Sequence, residues 1–554
     1  MEGAPPRRFG YRGGTAEARP GETLLAAVSR DGLPTLERSL RYHRPRGPFC
    51  GIGQCTGCLV RVNGDSTVRS CRYSPAEGDR VDSPRGWPSV RWDLFGVLDT
   101  LFPQGIDPFR AFRRPAFATP LYHRVVRRLS GYGPLPPGPA VAPAAPTPLL
   151  RTAEVAIVGA GARGRGVAVR LVSNGVRPLL IERNPGTADL AGADVCSGVS
   201  VTFLTPPRPD EAYPFTLLGV TAAGAGVSVH ARAVVVATGG YDASLLFGEN
   251  DRPGVLTADA VMALSPAQER TWFRRAIVVG GARRTQEVLE RFGPRVAAVV
   301  APGEIHPDVV RRASDLGIPL YPRSLVLRAR GRSRVRGLDL RARGRGTRFS
   351  LAGDAVVLAH RRLPSAQLFS LAAARMAWHA GTGAYYPILD ANAMTTVSGL
   401  YAVGTAAGLL EDADEATAGR VADAVVGRAE SGRTPLSRVP AEGPSELEGY
   451  YRELLGEPRR GRWIACRCED VLLREIEAAT RAGYRGVEVV KRYSAFGTGL
   501  CQGRYCVPDM LFLLSILEGR PPAEVGTITT RPPVFPTPLG AFAELDASTL
   551  PEVA

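Results

Sequence analysis

The sequence predicts an α/β fold: a Rossmann-like core flanked by a small β-rich module at the N-terminus and a small helical module at the C-terminus. Three observations carry this: the run VAIVGAGARGRGVAVRLVSNGVRPLLIE at 155–182, and one cysteine quartet on each side of it in sequence. The run reads as apolar strand, glycine-rich turn, helix, second apolar strand and terminal acid. Gly159, Gly161 and Gly164 stand at the G-x-G-x-x-G spacing, which permits a tight turn, a close backbone approach to a pyrophosphate and close helix–strand packing. The phosphate would lie on the N-terminus of the following helix, where unpaired N–H groups and the dipole favour an anion. Glu182 ends the second strand, where an acid can accept hydrogen bonds from a ribose hydroxyl. A glycine-rich turn in an unrelated α/β unit is the alternative reading, and the placement of the acid favours dinucleotide binding.

Length and charge narrow the class. A chain of 554 residues has room for about three or four domains. No run is long enough to span a bilayer, and MEGAPPRRFGYRGG lacks the apolar core of a signal peptide, so a cytoplasmic location is expected. The net charge of +16 comes almost wholly from arginine, since Lys491 is the only lysine. The arginines are scattered, with no basic stripe interleaved with aromatics, which argues against nucleic-acid binding. Eight of the nine cysteines fall in two sets, Cys50/Cys55/Cys58/Cys71 and Cys466/Cys468/Cys501/Cys506; Cys196 stands alone and is assigned nothing. Without an export signal, such sets favour metal or redox chemistry over disulfides.

Residues 1–85 read as the β-rich module. A helical turn at 21–29 leads through RSLRYHRPRGPF into C-x4-C-x2-C, with twelve residues from Cys58 to Cys71. The first three positions match a plant-type 2Fe–2S loop; Gly51, Gly53 and Gly57 let the backbone wrap and aim N–H groups at sulfur. The intervening LVRVNGDSTVRS predicts a hairpin turning at Asn63-Gly64-Asp65, which returns the fourth ligand. Zinc is the rival occupant, because it also accepts four thiolates.

RSLRYHRPRG followed by CGIGQCTGC resembles the ferredoxin-like (β-grasp) domain of the heterotetrameric sarcosine oxidase α-subunit family, whose relatives include the α subunits of hydrogen cyanide synthase, opine oxidase and hydroxyproline dehydrogenase. GWPSVRWDL at 86–94 and the aromatic and basic run at 109–132 are similar to that family's connector. A stiff Pro/Ala linker at 134–148 closes a connector of residues 86–150.

The FAD/NAD(P)-binding core is expected at 151–435. Three β-like runs at 199–204, 215–220 and 227–236 suit an antiparallel meander that returns to a parallel sheet. Ala237-Thr238-Gly239-Gly240 resembles the A-T-G turn of two-dinucleotide flavoproteins, placing Thr238 and Gly239 at the nucleotide, and the segment from Glu249 to Gly254 again resembles the sarcosine oxidase family. A second nucleotide unit starts at Arg275. Its turn, Gly280-Gly281-Ala282-Arg283, lacks the full fingerprint and no acid ends the next strand, so it is expected to pack rather than bind a second dinucleotide. SGLYAVGTAAGLL at 398–410 resembles the segment that closes an FAD site, with Gly404 at the turn and Thr405 where the family has Asp. The stretch between Glu182 and Ala237 is shorter than the resemblance implies, so the usual helix and parallel strand are expected to be missing. Arg163 and Arg165 intrude on a turn of small residues. FAD is the expected nucleotide, with NAD or an empty site as alternatives.

The second quartet, C-x-C, thirty-two residues, then C-x4-C, falls in a module at 460–520. Glu469 and Asp470 are expected to open a helix that Gly483 closes, and an apolar helix at 510–517 follows the last cysteine. KRYSAFGTGLCQGRYC resembles the bacterioferritin-associated-ferredoxin-like (BFD-like) helical 2Fe–2S domain, with Ala495 and Thr498 departing from the family pattern. Residues 521–554 form the tail. No folate-binding aminomethyltransferase-like domain follows, so folate chemistry is not expected.

No catalytic acid/base pair or nucleophile presents itself. His43 and His123 are expected to be structural or surface residues. Two one-electron clusters beside a nucleotide fold suit the relay of electrons from a flavin. The resemblance implies an α-like subunit of an amine or amino-acid oxidoreductase, with two 2Fe–2S clusters. An FAD-containing β subunit of the oxidase type would handle the small-molecule amine. A stand-alone NAD(P)H-dependent flavin/iron–sulfur reductase and a non-catalytic redox scaffold or sensor are the other readings.

Overall fold

The structure, a computed structural model, describes residues 5–30, 32–102, 147–264, 272–408, 414–427, 446–538, 540–543 and 545. The run at 109–132, His123, most of the Pro/Ala linker, and Leu409 and Leu410 lie outside the described residues. The chain divides into two compact units. One comprises Met1–Pro136, Asp242–Arg361 and Ser445–Ile528; the other comprises Pro137–Tyr241, Arg362–Pro444 and Thr529–Ala554.

The first unit begins with a five-stranded sheet in the order Gly14–Ala18, Arg7–Tyr11, Arg80–Asp82, Leu59–Val62, Asp65–Arg69. Arg7–Tyr11 and Arg80–Asp82 pair in parallel and the other neighbours antiparallel. The helix Leu24–Val28, capped by the Thr23 hydroxyl, packs Leu24 and Leu25 onto Phe9, Val60 and Val81. The hairpin turns at Asn63 and Gly64, with φ of 50° and 97°, the pair of left-handed residues that a type I′ turn requires.

This unit also holds a second sheet, whose first strand in chain order, Val255–Thr257, precedes Arg275, where the sequence places the second nucleotide unit. Its five strands run parallel in the order Val255–Thr257, Ala355–Leu358, Ala276–Val279, Val296–Val300, Leu320–Tyr321. AIVV, VAAVV and AVVL carry no polar alternation, because the strands of a parallel sheet are buried on both faces. A three-stranded antiparallel sheet, Ser324–Arg330, Gly337–Ala342 and Arg348–Ala352, completes it.

The remainder of the unit is helical: Glu446–Leu455, Leu473–Arg481, Val487–Ser494 and Val507–Glu518, with a short antiparallel pair Ile464–Cys466 and Val471–Leu472. Glu469 and Asp470 do not open a helix. They lie in the turn between those two strands, and the helix N-terminus is capped instead by Glu475, whose carboxylate accepts the Leu472 N–H at 2.7 Å. Gly483, at φ 92°, follows the helix end as expected.

The second unit holds a seven-stranded sheet. Leu149–Val158 lies between Leu179–Glu182 and Gly226–Val236, all parallel, and Leu400–Ala402 pairs in parallel with the far half of Gly226–Val236. Val199–Leu204, Phe215–Thr221 and Gly226–Val236 form the expected antiparallel meander. Only half of the anticipated deletion is found. Residues 183–193 contain no helix, yet Asp194–Ser197 pairs in parallel with Leu179–Glu182. The third parallel strand is therefore present, reached by a plain loop. The tail packs on this sheet: Val534 N–H donates to Thr202 O at 2.9 Å, and a Cβ on Gly226 would meet Ala541 O at 2.0 Å. Among the described residues no helix is long and apolar enough to cross a membrane.

Candidate metal centres and nucleotide turn

The first quartet hangs on an irregular loop. Gly51 and Gly53 adopt φ of 65° and 77°, and a Cβ on Gly57 would sit 2.5 Å from Gly47 O, so the chain can coil tightly around its own sulfurs. Cys55 N–H donates to Cys50 Sγ at 3.3 Å and Gly57 N–H to Cys55 Sγ at 3.4 Å. The hairpin brings Cys71 back to Cys58, where Ser70 N–H and Oγ–H both donate to Cys58 O. All four are buried free thiols. They bond in two pairs. Burial opposes ionisation of Cys50, but hydrogen bonds from the Cys55 thiol and from backbone N–H groups bring it down to about 6. Its partner Cys55 is pushed well up by that same bond and by burial. Cys58 is lowered by its bond with Cys71, and Cys71 is raised in turn.

The second quartet lines one cavity. Cys466 ends a strand and Cys468 lies two residues beyond it, while Cys506 stands at the N-cap of Val507–Glu518. A Cβ on Gly499 would meet Cys468 Cβ at 2.4 Å, so only glycine lets that loop close over the site. Cys468 bonds both Cys466 and Cys501; the Cys466 bond and burial together push it up to about 12. Backbone N–H groups of Tyr505 and Gly503 point at the Cys501 sulfur. Among the described residues no three His, Cys, Asp or Glu side chains close on one point as ligands of a single ion do. The first quartet thus pairs its thiols two and two, whereas the second links them in a row, Cys506 to Cys466 to Cys468 to Cys501, with backbone N–H donors aimed at sulfur in both.

The two quartets adjoin within the first unit, and buried ion pairs surround them. Arg44 Nε lies 2.9 Å from Asp251 Oδ2 and its Nη2 2.5 Å from Glu249 Oε2; Arg46 joins Asp251 to Asp470. Burial opposes ionisation of Asp251, yet Arg44 and Arg46 hold its carboxyl far below the usual range. His43 is structural, its Nδ1 2.7 Å from Asp93 Oδ2. Arg467, between Cys466 and Cys468, lies with its guanidinium 3.8 Å from the centre of the Phe49 ring. Burial and Arg46 bring it down to about 10, still cationic at neutral pH. Sequence reasoning singled out RSLRYHRPRG and the segment at 249–254 only for their resemblance. Opposite charges in two such motifs were the available signal for the pairing; Arg467 within C-R-C was a further one.

The nucleotide turn belongs to the second unit. A Cβ on Gly159 would meet Ala237 O at 2.4 Å, and one on Gly164 would meet Gly159 O at 1.9 Å. Both are therefore packing glycines. Gly161 caps the helix Ala162–Ser173 and has nothing within 4 Å of its Cβ position; space for a phosphate lies there. Glu182 accepts the N–H groups of Ala160 at 2.8 Å and Asn184 at 2.9 Å, which fixes its carboxylate beside the turn. Gly239, at φ 65°, faces open space, and Thr238 donates to Ser365 O at 2.9 Å. Gly404, at φ 67°, comes within reach of Arg163: Cγ lies 3.2 Å from its Cβ position. Thr405 is the second residue of the turn Gly404–Ala407 and packs its methyl toward Gly240. Arg165 turns away and donates to Ala188 O at 2.9 Å, fastening the loop that replaces the expected helix. An open, helix-capped turn with an acid beside it fits a dinucleotide.

Comparison with known proteins extends this picture. Residues 8–86 match the family described as a 2Fe-2S iron-sulfur cluster binding domain, and residues 460–545 match the sarcosine oxidase A3 domain. The chain is similar to the alpha subunit of sarcosine oxidase from Rhizobium meliloti (strain 1021), 26% identical over 97% of this chain and 57% of that protein. It is also similar to the opine oxidase A-type subunit from Agrobacterium tumefaciens (strain Ach5), 23% identical over 71% of this chain and 92% of that protein. The chain thus spans little more than half the length of the first of these relatives. Among solved structures, L-proline dehydrogenase from P. horikoshii covers 98% of both chains with a TM-score of 0.65 at 19% identity, which shows a shared fold. With a two-dinucleotide α/β core between a 2Fe–2S binding domain and a sarcosine oxidase A3 domain, the chain is a homologue of sarcosine oxidase alpha and opine oxidase A-type chains over most of its length.

Proposed function

We propose that this chain is the electron-transferring α-like subunit of a flavin-dependent oxidoreductase acting on the C–N bond of an amine or amino acid. The observation that carries it is the meeting of two disulfide-free thiol quartets, buried but for the half-buried Cys468, in one compact unit. Cys50, Cys55, Cys58 and Cys71 would hold one 2Fe–2S cluster and Cys466, Cys468, Cys501 and Cys506 the other. FAD would lie on the turn of Gly159, Gly161 and Gly164, with Glu182 at its ribose and Gly404 and Thr405 closing the site. Bound flavin supplies the step from two-electron to one-electron transfer. The residues around the quartets exclude water and supply N–H donors that spread thiolate charge. An FAD-containing oxidase-type β subunit is the proposed partner that receives the amine. Residues 1–85 and 460–520 are the proposed cluster modules, with 86–150 the connector, 151–435 the nucleotide-binding region and 521–554 the tail.

One observation favours a second reading. The Arg163 side chain packs against Gly404 where a flavin would pass, as in a conduit whose flavin lies in another chain. Cofactor analysis of anaerobically purified protein separates the two. About four irons and matching sulfide per chain, with one FAD, support the first reading. Four irons with no FAD support the conduit, and the absence of iron after anaerobic reconstitution overturns both.

A further inference from the structure

Residues that flank one quartet touch residues that flank the other. Thr56, next to Cys55, donates its hydroxyl to Cys468 Sγ at 3.4 Å. Tyr505, next to Cys506, donates to Gln54 Oε1 at 3.4 Å and meets the Phe49 ring edge-on at 5.2 Å. Arg467 covers that same Phe49 ring. Cys55 and Thr56 line the cavity of the second quartet. A protein that merely housed two separate clusters would have no need to hydrogen-bond a ligand of one to the loop of the other.

We propose that Thr56 is the positioning residue of a direct electron bridge between the two quartets, tying the Cys468 ligand to the first cluster's loop and making the second cluster easier to reduce. The inference rests on the reading that each quartet holds a 2Fe–2S cluster. An O–H donated to a thiolate spreads its negative charge and so stabilises the more negative, reduced state. In the exchange one electron leaves one iron–sulfur core, which is oxidised, and enters the other, which is reduced; no bond breaks and no proton moves. The Arg467 cation beside Cys468 favours the electron's arrival.

The test uses the full chain with both clusters reconstituted, and EPR-monitored redox titration with dithionite as reductant. Wild type, Thr56→Val and Thr56→Ser are compared, with Cys501→Ser identifying which signal belongs to the second quartet. The expected result has three parts. The fully reduced wild type shows spin–spin broadening between the two signals. Thr56→Val lowers the midpoint potential of the second cluster and leaves the first in place. Thr56→Ser, which keeps the donor, behaves as wild type. If iron, sulfide and spin counts show both clusters present, yet the signals do not interact or Thr56→Val moves neither midpoint, the bridge is overturned. An iron content of about two per wild-type chain, half the about four that two clusters hold, would instead overturn the two-cluster reading, and the bridge with it.

Discussion

Asp470 Oδ2 accepts the backbone N–H of Arg41 at 2.7 Å, and its other oxygen pairs with the Arg46 guanidinium. One carboxylate, at a left-handed φ of 51° and fully buried, thereby fastens the strand turn beside Cys468 to the segment that leads into Cys50. Asp470→Asn would keep the shape and remove the charge, leaving Arg46 to share Asp251 with Arg44. Breaking a buried pair in this way costs about 3–5 kcal/mol, to be read from the denaturation midpoint. The double variant with Arg46→Met should recover part of that loss, since the orphaned cation is then gone. Equal stability of wild type and Asp470→Asn would show that the pair is idle.

Each quartet should be removable without the other. Cys55→Ser and Cys501→Ser are each expected to lose about half of the iron and one set of visible-region bands while the remaining set persists. Iron content and absorption spectra measure this; loss of all iron from either variant would mean that the eight thiols act as one site.

Two glycines of the nucleotide turn should fail differently. Gly164→Ala places a methyl 1.9 Å from Gly159 O, and overpacking of this kind costs about 1–3 kcal/mol, so it should lower thermal stability. Gly161→Ala meets nothing within 4 Å. It should melt as wild type yet weaken nucleotide binding by about tenfold or more, the equivalent of about 1.4 kcal/mol. Thermal melts and equilibrium titration with FAD separate the two.

Stability should also depend on pH through Glu37. Burial raises its carboxyl from 4.5 to about 7 despite Arg85 at 2.6 Å. A folded-state value above the unfolded one means that the folded protein holds the proton more tightly. This stabilisation is therefore complete below about 4.5 and lost as pH rises through about 7. Glu37→Gln cannot ionise. Urea midpoints measured across that window should fall for wild type relative to the variant; parallel curves would contradict the assignment.

Local chemistry made much of this molecule legible. The Asn63-Gly64 turn, the cysteine spacings and the glycine fingerprint are short-range patterns whose geometry is set by neighbouring residues. The apolar runs at 276–279 and 296–300 announced the second parallel sheet for the same reason. Asp194–Ser197 was hidden because DVCS is short and half-polar, and it joins the sheet through backbone hydrogen bonds that leave no hydrophobic signature. Asp470 misled because an acid shortly before an apolar helical pattern resembles an N-terminal charge. Its partner lies 424 residues away in sequence, and no periodicity reports such a pairing. Thr56, an ordinary hydroxyl between Cys55 and Cys58, gains its meaning only once Cys468 is placed beside it.

The buried ion pairs also set a timetable for synthesis. Arg44 and Arg46 emerge from the ribosome early; Asp99, which pairs with Arg44, follows 55 residues after it, but Asp251 and Asp470, the two partners of Arg46, come more than two hundred and more than four hundred residues later. At translation rates of about 5–20 residues per second, Arg46 waits on the order of tens of seconds for its counter-charges. The ion pairs that join the segment before Cys50 to the turn beside Cys468 can form only once residues up to Asp470 have been made. If Cys50, Cys55, Cys58 and Cys71 hold a cluster as proposed, its loading would thereby be tied to completion of the polypeptide.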